Sequence, residues 1–108
     1  MRTTLHEFKA GIFQALGHPA RVAIVECLRN GEMPAGAILE KVPGQQASVS
    51  QHLSVLRAKG VVVSRKEGNQ VYYSLRDPAI GLVLDIMKSY FESQLREAAD
   101  MLQEMVED

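Results

Sequence analysis

The stretch Gln45–Leu75, QQASVSQHLSVLRAKGVVVSRKEGNQVYYSL, decides the fold. Its first part, about residues 46–58, reads as a helix. Val49, Leu53 and Leu56 fall within about 60° of one another at 3.6 residues per turn, so they should face a core. The opposite side carries Ala47, Gln51, Ser54 and Ala58, flanked by Ser48, Ser50, Val55 and Arg57. Small hydrogen-bonding side chains of this kind let a helix approach another surface closely. Lys59-Gly60 ends the helix. Val61, Val62 and Val63 then open a β-branched strand, Glu67-Gly68-Asn69 supplies a turn, and Val71–Leu75 returns. The result is a hairpin over about residues 61–76 with Arg65 and Lys66 near its tip. A polar helix followed by a basic ribbon suits entry into a DNA groove and contact with the flanking phosphates.

Upstream, Leu5, Phe8, Ile12 and Leu16 recur at helical spacing and predict a helix over residues 4–16. Gly17-His18-Pro19 interrupts it, and Pro19 suits the first position of a second helix ending at Asn30-Gly31. Pro34 opens a short third helix carrying Ile38, Leu39 and Val42, which Pro43-Gly44 stops. Downstream, Asp77 caps a last helix with Pro78 at its first position, over about residues 78–106. Leu84, Met87, Phe91, Leu95, Ala98, Leu102 and Met105 make an apolar stripe along it. That stripe is longer than a small domain can cover alone, which points to the same helix of a second subunit. The expected fold is mostly α with a small β-hairpin, a winged helix-turn-helix in one domain over residues 1–108. Leu5, Phe8, Ile12, Leu84, Met87, Phe91, Leu95 and Leu102 are the candidate homodimer contacts.

Charge is distributed unevenly. The whole chain carries −1. Residues 45–76 hold five Lys/Arg against one acid, +4, whereas residues 77–108 hold two against eight, −6. The middle is therefore expected to face an anion and the tail to point away from it. No apolar run approaches the roughly 18 residues of a membrane span. The N-terminal segment is broken by His6, Glu7 and Lys9 and makes a poor signal peptide. The expected compartment is the cytoplasm, with no membrane partner. The single cysteine, Cys27, excludes an intrachain disulfide and a thiolate cluster.

LGHPARVAIVECL (Leu16–Leu28), QASVSQHLSVLRAKGVV (Gln46–Val62) and RKEGNQVYYSL (Arg65–Leu75) together resemble the ArsR/SmtB-type winged-helix regulators of bacteria and archaea. The resemblance spans roughly residues 5–92. It implies a homodimeric transcriptional repressor in which the first and last helices build the dimer, the fourth helix enters the major groove and the wing contacts flanking DNA. By position, it assigns Gln46, Ser48, Ser50, Gln51 and His52 to the recognition helix and Arg65, Lys66, Asn69 and Gln70 to the wing. The residue chemistry agrees. Gln pairs with an adenine edge, Ser with several edges, and Arg or Lys with phosphate or guanine. Arg57 adds a further cation. His52 lies nearer the core flank, where a structural role competes with DNA contact. Ala47 departs from the serine frequent at that point of the family. It removes a hydroxyl and could meet a thymine methyl instead.

The family's usual sensor positions are largely empty of ligands. Met33–Val42 holds no Cys, His or Asp. The positions matching the last-helix metal set are Asp85, Met87, Ala98 and Met101, and one carboxylate does not select a transition metal. No metal and no cofactor is therefore expected. Cys27 has no second cysteine for a dithiol switch and reads as a structural thiol on its helix, although a one-cysteine sensor stays open. His6 together with Glu97, Asp100 or Glu104 would form a non-standard metal site. The acidic last helix also admits a different reading, an interaction module that binds an unidentified protein partner; a small-molecule effector is equally open. No nucleophile–base pair or phosphate loop supports an enzyme. The expected partner is double-stranded operator DNA, with Arg65→Ala acting mainly through salt-dependent affinity.

Overall fold

The computed structural model describes residues 4–107; residues 1–3 and 108 of the expected domain lie outside the described residues. Thr4 starts the first helix, α1 (Leu5–Leu16), through a capping box: its hydroxyl accepts from the Glu7 N–H, and the Glu7 carboxylate accepts from the Thr4 N–H, both at 3.1 Å. Gly17 ends it. His18 caps α2 (Pro19–Cys27), its Nδ1 accepting the Ala20 N–H at 3.0 Å. A turn through Gly31, at φ 134°, leads to β1 (Met33–Pro34), α3 (Ala35–Lys41) and α4 (Gln46–Ala58). Then come β2 (Val62–Glu67), β3 (Gln70–Leu75) and α5 (Ala79–Glu107). Asp77 stands before α5, with Oδ1 accepting the Ala79 N–H at 2.9 Å.

The core is small and early in the chain. It consists of Ala15, Leu16, Ile24, Val25, Leu28, Ile38, Val42, Val49, Leu53, Leu56, Val61 and Val62. Each apolar face along this stretch is therefore spent on its neighbours: α2 on α4, α3 on both, and the start of β2 on α4. Gly81 is the one residue of α5 that is buried, among those described. The Arg29 side chain lies over it on the way to Asp85, with which it forms an ion pair. This pair fastens the end of α2 to α5.

The structure corrects the expected hairpin in one respect. The sheet has three strands in the order β1-β3-β2, all antiparallel. Met33 pairs with Tyr73 and Pro34 with Tyr72. Pro34 was expected to open the third helix; it occupies the cap position before Ala35 while also ending β1. A proline is tolerated in such a position because β1 is an edge strand, one side of which has no ladder to join. The wing turn is Gly68-Asn69 between the paired residues Glu67 and Gln70. Gly68 sits at φ 60° and, among the described residues, no non-glycine residue has positive φ, which fits the first central position of a type II′ turn.

Two of the expected dimer contacts also have partners within the subunit. Ile12 and Leu84 pack against the edge of the core within the subunit. Leu5, Phe8, Met87, Phe91, Leu95 and Leu102 are exposed, as are Phe13, Ile86 and Tyr90, which the stripe pattern did not include. Between α1, α2 and α5 runs an apolar groove of about 480 Å³, lined by Phe13, Leu16, Val22, Leu84, Met87 and Phe91 among others. Among the described residues, no helix is long and apolar enough to cross a membrane.

Candidate nucleic-acid interface

Helix α4 divides along its length as its sequence pattern requires. Val49, Leu53 and Leu56 are buried, and Gln46, Ala47, Ser48, Ser50, Gln51, Ser54 and Arg57 are exposed. The Ser54 hydroxyl donates back to the Ser50 carbonyl at 3.2 Å, an internal bond of the helix. Among the described residues, the side chains of Gln46, Ser48, Ser50 and Gln51 hold no intramolecular hydrogen bond. Amide and hydroxyl groups left unpaired on a convex helix face keep their donors and acceptors for another surface. Gly44 (φ 126°) and Gly60 (φ 76°) bracket the helix with the left-handed turns that glycine tolerates.

His52 stands apart from this face. It is half-buried; its Nδ1 accepts from Arg21 Nε at 3.2 Å, and its ring lies 4.1 Å from that of His18, centroid to centroid. Arg21 also donates to the Ala15 carbonyl at 3.1 Å. These side chains join α4 to the α1–α2 turn. Burial, followed by the nearby His18 and Arg21, pushes the His52 pKa below the usual histidine value. Through these contacts His52 ties the root of α4 to the α1–α2 turn.

The wing carries Lys66, Asn69 and Gln70, all exposed, and Lys66 forms no ion pair among the described residues. Arg57, at the last turn of α4, is likewise without one. Arg65 is placed otherwise: Nε and Nη2 donate to the two carboxylate oxygens of Glu32 at 2.8 and 2.7 Å, and Nη1 donates to Glu67 at 2.6 Å. Hydrogen bonding to Arg65 holds the Glu32 carboxyl below its usual range. No sequence-local signal reveals this contact, because Glu32 lies 33 residues away and is delivered by the unexpected strand β1.

The candidate sensor residues do not converge. Cys27 is half-buried with its Sγ 3.4 Å from Met33 Sδ, and burial raises its pKa, which keeps the thiol protonated. Asp85 is committed to Arg29. Among the described residues, no three His, Cys, Asp or Glu side chains are grouped so that they could hold a metal ion.

Three helices around an exposed polar helix, with a turn between α3 and α4 and a basic-tipped ribbon beside it, define a winged helix-turn-helix DNA-binding protein. A family profile described as a helix-turn-helix domain matches residues 16–65. The chain is 34% identical over 102 residues to the uncharacterized HTH-type transcriptional regulator Rv0081 of Mycobacterium tuberculosis, covering 94% of this chain and 90% of that one. The crystal structure of that protein superposes with a TM-score of 0.78, at 33% identity, over 91% of this chain and 99% of the other. The transcriptional repressor BigR from Xylella fastidiosa gives 0.70 at 26% identity, over 82% and 97% of the two chains. A homodimeric winged helix-turn-helix DNA-binding domain of Mycobacterium bovis, described as a possible ArsR-family regulator, gives 0.76 at 24% identity, over 86% of each chain. The chain belongs to the HTH-type transcriptional regulators, and its fold is that of the winged helix-turn-helix proteins. It is a DNA-binding regulator rather than an enzyme.

Proposed function

We propose that the chain is a homodimeric, sequence-specific repressor that binds a partly palindromic operator. The two α4 helices enter successive major grooves, about 34–36 Å apart as two-fold related helix-turn-helix units do. Gln46, Ser48, Ser50 and Gln51 read base edges; Arg57, Lys66, Asn69 and Gln70 hold the backbone alongside. The observation that carries this reading is the split of α4 into a buried apolar side and a side on which the groups of Gln46, Ser48, Ser50 and Gln51 are exposed and, among the described residues, unpaired. The exposed apolar residues of α1 and α5, with the groove between them, support pairing of two copies. The relative from Xylella fastidiosa described as a repressor supports the direction of regulation.

The test is titration of labelled DNA from upstream of the gene against a scrambled duplex. Removing a bidentate Gln–adenine contact with Gln51→Ala should cost about 1–3 kcal/mol of discrimination, roughly 5- to 150-fold, while non-specific affinity stays put. Equal affinity of the unaltered protein for both duplexes would refute sequence-specific reading.

A further inference from the structure

We propose that Arg65 is a positioning residue that ties the wing to β1, and that the cationic contact of the wing tip with DNA is made by Lys66. This rests on the DNA-binding reading above and refines it. Arg65 and Tyr72 are cross-strand partners, as are Tyr72 and Pro34, so a row of three side chains runs across the outer face of the sheet. The guanidinium carbon lies 4.6 Å from the centre of the Tyr72 ring. Beyond the ring the guanidinium meets Glu32, the residue just before β1, through two parallel N–H···O bonds. Its remaining terminal nitrogen is taken by Glu67, which shares the outer face of β2.

This arrangement engages three of the five guanidinium N–H groups, including one bidentate edge of the kind that a phosphate would take. A guanidinium recognises a phosphate through the same planar fork that here grips Glu32. Its face is stacked on Tyr72 and its other edge is occupied. The three charged side chains together carry −1, so as a unit they repel a phosphate. Lys66 follows Arg65 by one residue and therefore projects from the opposite face of β2. It forms no ion pair among the described residues. The positive charge that the sequence places on the wing tip is thus divided: one cation is consumed in holding the ribbon, and one is left for the ligand.

A double-substitution cycle separates the roles. Operator affinity is measured across a salt series for the full-length protein, Arg65→Gln, Glu32→Gln and the double variant. The expected result is that Arg65→Gln lowers affinity by about 1.5- to 5-fold, the range for a largely exposed ion pair, with the slope of log K against log salt unchanged. In the Glu32→Gln background the same substitution should cost less, because the bidentate partner is gone and only Glu67 and Tyr72 still hold the guanidinium. Lys66→Gln should flatten the slope by about one counterion. Amide exchange of the DNA-free protein should quicken at the paired positions Met33, Tyr72 and Tyr73 in both single variants. A slope reduced by about one in Arg65→Gln, or a larger cost of that change once Glu32 is replaced, would overturn the proposal in favour of direct phosphate contact. Unchanged amide exchange would also overturn it. If no duplex is bound specifically, the operator reading fails, and the exchange measurement still decides whether Arg65 holds the wing.

Discussion

Leu95→Glu tests the dimeric assembly most directly. Leu95 keeps 71% of its surface exposed in the single chain, on the side of α5 that continues from Phe91 to Leu102. Full burial of a leucine side chain is worth about 1.5–3 kcal/mol, so roughly 1–2 kcal/mol of that gain remains to be realised at each copy. A two-fold interface repeats every substitution, which doubles the loss to about 2–4 kcal/mol before the new charge is considered. A carboxylate held in an apolar seam adds an unpaired desolvation cost of at least a further kcal/mol or two. Since about 1.4 kcal/mol is a factor of ten, the dimer dissociation constant should rise by roughly 100-fold or more. Sedimentation equilibrium reads that constant, and circular dichroism checks that each chain keeps its helices, as it should because Leu95 is no part of the core. A dissociation constant within about tenfold of the unaltered protein, or an unaltered protein that is monomeric at every accessible concentration, would refute the reasoning.

Leu56→Ala removes a fully buried side chain from the centre of the core and should cost about 2–5 kcal/mol in urea unfolding; a loss under about 1 kcal/mol would mean that the site collapses around the gap. The depressed His52 pKa makes stability greatest above the ordinary histidine pKa, and acid erodes it as pH falls through that value towards the lower folded one. His52→Gln should flatten this limb in a series of denaturant midpoints against pH, and an unchanged limb would exonerate His52. The Glu32 and Asp85 carboxyls, held down by Arg65 and Arg29, should add a second decline as pH falls through the usual carboxylate range towards their lower folded values. In Gly81→Ala the new Cβ would stand 2.6 Å from Arg29 Nε, so the arginine must leave its seat. The gain of about 1 kcal/mol in helix propensity opposes that loss, so the diagnostic is NMR titration of Asp85, whose pKa should return towards the ordinary carboxylate value.

Helical periodicity made most of the architecture legible. In α4 it separated Val49, Leu53 and Leu56 from the polar face with no tertiary information, because a helix displays its burial in its spacing. Turn chemistry did the same for Gly31, Gly60 and Gly68. Strand β1 was not legible: two residues ending in proline carry no period, and only their pairing with Tyr72 and Tyr73 makes them a strand. The pairing of Arg65 was hidden for a related reason. Counting charge by segment assigned Glu32 to the first third of the chain, whereas folding brings it to the wing and cancels Arg65. Likewise Asp85 could be read from spacing only as an isolated acid, since its partner Arg29 lies 56 residues earlier and reaches it across Gly81. For His52 the helical wheel left two roles open, and its contacts with Arg21 and His18, far apart in sequence, could not be read from spacing.

The shallow seat of α5 bears on how long the protein lasts. This helix contributes Gly81 to the buried set, and residues 96–107 are exposed throughout. A helix is marginal in water when its apolar side has nothing to lie on. A solitary chain therefore offers proteases a fraying C-terminal half, while under the dimeric reading a paired chain seals it. Turnover would then fall as copy number rises, so that a cell clears the regulator when it is scarce and keeps it once it is abundant.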